Sequence, residues 1–134
     1  MLIFDFEPVF SFVQSRLGGL ARASDMAAIG LERGGNLVAG AVYEGFNGHN
    51  MWVHLAGSPG RSWLNREFLM SSFRYPFIQC GVGRLSGYVN ASNTDARRFD
   101  EHIGFKEEAR LHGAAPDGGD VIIYVMRKED CIYV

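Results

Sequence analysis

Apolar positions recur along this chain in two periods, and the two meet most clearly between Arg84 and Phe105. From Arg84 to Val89 they alternate, with Leu85, Gly87 and Val89 on one face and Ser86 and Tyr88 on the other, the period of a strand. Ala96, Phe99 and Ile103 then recur at helical spacing and make one apolar stripe. Asn93 stands at the N-cap of that helix, where its side-chain oxygen accepts one of the orphan N–H bonds of the first turn, and Asp95 adds a favourable negative charge. Gly104 suits the left-handed residue that ends a helix, and Phe105 starts the next strand with its ring under the sheet.

The same reading extends to the rest of the chain. Residues 1–6 are rich in β-formers. A helix begins near Pro8, with Val9, Phe12, Val13, Arg16 and Leu17 at helical spacing, and Gly18-Gly19 ends it. Strands at 27–33, 37–46 and 51–56 form an antiparallel meander, joined by Gly34-Gly35-Asn36 and by Asn47-Gly48-His49-Asn50, residues that tolerate positive φ. A break at 57–62 follows, with Ser62 or Ser58 as the N-cap of a helix that buries Trp63, Phe68, Leu69, Ser72, Phe73 and Tyr75. Pro76 limits or kinks that helix. Gln79-Cys80-Gly81-Val82-Gly83 follows a helix and precedes a strand, so it reads as a helix-ending turn and not as a phosphate loop. Strands at 105–111 and 121–127 close the order β-α-β-β-β-α-β-α-β-β, a mixed α/β fold.

Composition narrows the class. A chain of 134 residues, 47% hydrophobic and 21% charged, reads as one globular domain spanning 1–134. Its net charge of −2 argues against a general nucleic-acid binder, although 57–98 carries six arginines against Glu67 and Asp95, a local field suited to a phosphorylated ligand or to a solvated helix face. Cys80 and Cys131 supply neither a disulfide framework nor metal-ligand spacing, and the four histidines have no metal spacing either, so no metal is expected. The N-terminus lacks the basic start and cleavage site of a signal peptide, and no apolar run approaches the roughly 20 residues that span a bilayer, so the expectation is a cytoplasmic protein without membrane contact.

The run Asn93-x-x-Ala96-x-x-Phe99-x-x-x-x-Gly104-Phe105 resembles the signature late in the catalytic domain of the GNAT superfamily of N-acetyltransferases, and the chain is similar to short acetyltransferase-like proteins of bacteriophages. The resemblance covers roughly residues 28–127. It implies an acyl-CoA N-acyltransferase fold, a twisted mixed sheet flanked by helices whose central strands splay apart to admit acetyl-CoA. The implied activity is direct acetyl transfer from acetyl-CoA to a primary amine of a protein or small molecule. The alternative is a catalytically silent CoA- or protein-binding module of the same fold. A homodimer is possible.

On the same basis the cofactor is held by Leu55 and Ala56 at the end of the third meander strand, by the loop Gly57, Ser58, Gly60, Arg61, Ser62 and Trp63 at the next helix N-terminus, and by Val89, Asn90, Asn93, Ala96 and Phe99. The family's usual glycine-rich spacing is absent from that loop. Its usual acid, a Tyr one position after the helix's large apolar residue, is replaced by Asp100, which reads as a solvated surface residue beside Glu101. Candidate bases are His54, sharing a face with Trp52 and Ala56, and Glu44; a core histidine is the plainer reading of His54. Tyr124 on the last strand is a further candidate acid. Nothing in the pattern identifies the amine.

Overall fold

The computed structural model describes residues 1–17, 19–59 and 65–134. Its elements are β1 (Leu2–Ile3), α1 (Phe6–Leu17), β2 (Ala27–Arg33), β3 (Asn36–Glu44), β4 (Asn50–Gly57), α2 (Arg66–Arg74) continued by a π-helical turn (Tyr75–Gln79), β5 (Arg84–Asn90), α3 (Thr94–Ile103), β6 (Lys106–Leu111) and β7 (Val121–Arg127). The seven strands form one sheet in the order β1-β2-β3-β4-β5-β7-β6. All neighbours are antiparallel except β4 and β5.

That parallel pair positions the site. β4 and β5 are in register only at Asn50–Arg84, Met51–Leu85 and Trp52–Ser86. Beyond them each strand stays paired on its outer side, β4 with β3 out to Gly57 and β5 with β7 out to Asn90. From Val53 onward the inner edges therefore part, and among the described residues no strand lies opposite the main-chain donors and acceptors of β4.

Two apolar clusters seat the helices on the sheet. Val9, Phe10 and Val13 of α1 pack on Ala28, Val42 and Ala56. Phe68, Leu69 and Phe73 of α2 join Tyr43, Leu55, Leu85, Ile103 and Phe105 in the larger cluster. The close seat of α1 depends on glycine, since a Cβ at Gly40 would lie 2.8 Å from a methyl of Val13 and 3.1 Å from one of Val9.

Two expectations change and a third is refined. The first strand has two residues, and α1 starts at Phe6, which puts Pro8 in the first turn, where it removes no helical hydrogen bond. The cap of α2 is Asn65, whose Oδ1 accepts from Phe68 N at 2.9 Å, and not Ser58; Ser62 lies outside the described residues. At Pro76 the α-helix is limited as expected, stopping at Arg74, but the chain continues in a wider turn, which closes where Cys80 N donates to the Tyr75 carbonyl and Gly81 takes φ 75°.

Candidate active site

Beyond the point where the strands part, a cavity of about 510 Å³ opens between the end of β4 and α3. Leu55, Ala56 and Gly57 of β4 with Ser58 and Pro59 form one wall, Asn93, Ala96 and Phe99 of α3 another, and Arg16, Arg98 and His102 stand at its rim with Asp95. α3 is held as its sequence dictates: Asn93 Oδ1 accepts from Ala96 N at 3.2 Å, and Gly104 ends the helix at φ 115°. Seven of the expected cofactor residues, Leu55, Ala56, Gly57, Ser58, Asn93, Ala96 and Phe99, thus line one space. Gly60, Arg61, Ser62 and Trp63 lie outside the described residues. The helix N-terminus expected at 57–63 sits further on, at Asn65, and Ser58 N–H is already bonded to the Val38 carbonyl at 2.8 Å.

A smaller cavity of about 20 Å³ lies deeper between the strands. His54, Tyr88, Val89, Ala96, Asp100 and Leu17 are among its walls. His54 is 4% exposed, and its Nε2 lies 2.6 Å from Glu44 Oε2. The two residues project from the same face of adjacent strands, as Glu44 pairs with Trp52 and Val42 with His54. A carboxylate at Nε2 fixes the tautomer, because it can only accept: Nε2 carries the proton and Nδ1 the lone pair of the neutral ring. Burial holds the imidazole below its usual pKa, against the opposing pull of Glu44, so the ring is neutral at pH 7.

Asp100 departs most from its expectation. It is 9% exposed, not solvated, and burial, with Glu101 adding like charge, pushes its pKa up to about 7. Among the described residues no hydrogen bond reaches its carboxyl. Sequence held the signal: with Ala96 and Ile103, position 100 completes the i, i+4, i+7 stripe of α3, so a carboxylate there faces inward. Arg16 and Leu17 also escaped the sequence reading, because only the packing of α1 beside β4 brings them to the cleft; Arg98 of α3 was read in sequence only as part of the basic stretch 57–98.

The other sequence candidates fall outside both cavities. Tyr124 is fully buried, donates its hydroxyl proton to Glu101 Oε2 at 2.7 Å and has its pKa raised to about 12. Asn90 ends β5, and its carbonyl accepts from Asn93 N at 2.9 Å in the turn before α3. No group of metal-ligating side chains occurs among the described residues, and no helix among them is long and apolar enough to cross a membrane.

No family model and no curated protein matches the sequence. Solved structures do match. A mutant form of the spermidine/spermine N-acetyltransferase SpeG from Vibrio cholerae superposes with a TM-score of 0.73 at 14% identity, over 96% of this chain and 95% of that one. The fold is that of the GNAT acetyltransferases. The N-acetyltransferase PseH of Campylobacter jejuni, solved in complex with acetyl coenzyme A, shares the GNAT fold with this chain at a TM-score of 0.61 and 13% identity, over 79% of this chain and 70% of that one. A GNAT-family acetyltransferase from Bacillus anthracis matches at 0.63 and 20% identity, over 78% and 67%.

Proposed function

We propose that this chain is an N-acetyltransferase that takes acetyl-CoA as cosubstrate and passes the acetyl group directly to a primary amine. One observation carries the reading: β4 and β5 part after Trp52 and Ser86, leaving an unpaired main-chain edge between a large cavity and a buried acid–base cluster.

The cleft suits the cosubstrate. An extended chain of amides finds partners on the open edge of β4 at Val53–Gly57, much as a peptide adds to a sheet. In the proposal Leu55, Ala56 and Gly57 hold the pantetheine by main-chain bonds, with Asn93, Ala96 and Phe99 opposite and Val89 near the thioester. Arg16 and Arg98, with Ser58, Gly60, Arg61, Ser62 and Trp63, serve the phosphates. Acetyl-CoA supplies the acetyl group as an activated thioester.

The protein's own residues move the protons. His54 Nδ1 takes the proton that an ammonium must lose before it can attack, and Glu44 holds the ring through Nε2–H and stabilises the imidazolium. Main-chain N–H groups on the β4 edge polarise the acetyl carbonyl. Asp100, half protonated near neutral pH, holds the proton that the departing sulfur needs. In this reading Tyr124, which lines neither cavity and donates to Glu101, takes no part in the proton transfer.

Thermal denaturation with acetyl-CoA, combined with thiol release in the presence of a panel of amines, tests the reading. Stabilisation should reach about 2.7 kcal/mol at a hundredfold excess over Kd, with thiol release for at least one amine. No shift at millimolar acetyl-CoA overturns the reading. A shift without thiol release from any amine leaves the silent CoA-binding module.

A further inference from the structure

The two ends of the cleft carry opposite charge. Arg16 and Arg98 stand at the rim of the large cavity. At the other end, Glu44 closes β3 with 27% of its side chain exposed, and beside it Gly45 N–H donates to Asp25 Oδ2 at 2.8 Å. Among the described residues neither carboxylate is ion-paired with an arginine or lysine. The partner of Glu44 is His54, which burial keeps neutral, so the negative charge at this mouth is not cancelled.

Two aromatic rings flank that charge. The Trp52 ring lies against Gly45, where a Cβ would come within 3.0 Å of its Cδ1. Tyr88 meets Trp52 edge-on at 6.0 Å and His54 at 5.2 Å. Tyr88 is 45% exposed, and burial, with the field of Glu44 as the smaller cause, raises its pKa. It also lines the small cavity with His54 and Asp100, so this aromatic surface runs into the acid–base cluster. Aromatic faces beside an uncompensated carboxylate suit a cation on an apolar stem: the rings attract its charge and cover its methylenes.

We infer that Trp52, Tyr88 and Glu44 form the docking site of the amine and select an alkylammonium over an amine carried on a chain that ends in a carboxylate. An anionic substituent at this mouth would face Glu44 and Asp25, neither of which is ion-paired with an arginine or lysine among the described residues. The inference rests on the acetyltransferase reading only in taking the bound amine to be the acceptor.

A matched pair of probes tests it: n-butylamine and γ-aminobutyrate share chain length and amine and differ in the carboxylate. Each is titrated into isotope-labelled protein without acetyl-CoA, and the Trp52 indole N–H resonance is followed, with Trp63→Phe identifying the other indole. The Trp52 signal should move with n-butylamine at about tenfold lower concentration than with γ-aminobutyrate. Glu44→Gln should remove that preference. Tyr88→Leu should weaken n-butylamine about tenfold and Tyr88→Phe should not, since the ring face carries the attraction. Equal binding of the two probes, or n-butylamine binding that survives both Glu44→Gln and Tyr88→Leu, overturns the inference.

Thiol release from acetyl-CoA with the same amines separates this inference from the reading beneath it. Equal turnover of both probes overturns the docking site and leaves the transferase. The expected indole pattern without thiol release from any amine keeps the cation site and removes the transferase.

Discussion

Asp100 is a carboxylic acid kept near half protonation by its surroundings, and this sets two pH dependences. Its folded pKa, about 7, lies above the ordinary carboxylate value, so between roughly pH 4 and pH 7 the folded state binds more protons than the unfolded chain. Its contribution to stability is therefore fully present below pH 4 and lost as pH rises through 7, by about 2–4 kcal/mol. Asp100→Asn should flatten that part of the stability–pH curve in urea titrations; an unchanged slope would mean that the carboxyl is solvated. In the reaction the same substitution should lower kcat about a hundredfold and abolish the alkaline limb near pH 7. His54 has the opposite sign. Burial lowers its pKa, so its neutral, proton-accepting form persists to below the usual histidine range, and His54→Gln should remove the acidic limb of kcat/KM. Of these residues, His54 and Glu44 were named from sequence as separate candidates, His54 by its face with Trp52 and Ala56 and Glu44 by its place at the end of the preceding strand, while the register that sets them side by side came only from the structure. Asp100 was misread because its carboxylate was weighed by chemistry, while its place in the α3 stripe foretold burial.

At the scale of elements, α3 follows closely from its sequence. Its N-cap, apolar stripe and left-handed terminal glycine are local features, and each appears where the pattern puts it. Asn93→Ala should therefore lower stability by about 1 kcal/mol, measured as a shift of the urea midpoint, whether or not acetyl-CoA binds. The seat of α1 depends instead on contacts across the fold. At Gly40 an added methyl meets Val13 and Val9, β-branched side chains with little freedom to turn, so Gly40→Ala should destabilise by about 1–3 kcal/mol. Val13→Ala should relieve part of that loss in the double variant, whereas simple additivity would show that the contact is not the cause. The start of α2 was misplaced because several serines before it qualify as caps by residue type. Asn65 holds the role through its bond to Phe68 N, which seats Phe68 and Phe73 in the core.

At the scale of the molecule, the cleft is polarised from the arginine rim to the carboxylate mouth. Charge reversal or removal at Arg16 and Arg98, both exposed, should weaken acetyl-CoA more than dephospho-CoA, and the difference should shrink as salt screens the field. Equal losses for both ligands would place these arginines away from the 3′-phosphate, at the pyrophosphate that the two ligands share. Sequence by itself determined the order and type of the elements, the cap and stop of α3 and the pairing of the meander, because each rests on periodicity, turn chemistry or a bond within a few residues. Only the tertiary structure decided where β4 and β5 part, that α1 brings Arg16 and Leu17 to the cleft, and that Asp100 is buried within it. Those features depend on residues far apart in the chain: the strands part because each is paired on its outer side while helices pack on the sheet, and the Asp100 proton is held by the low polarity which that packing creates.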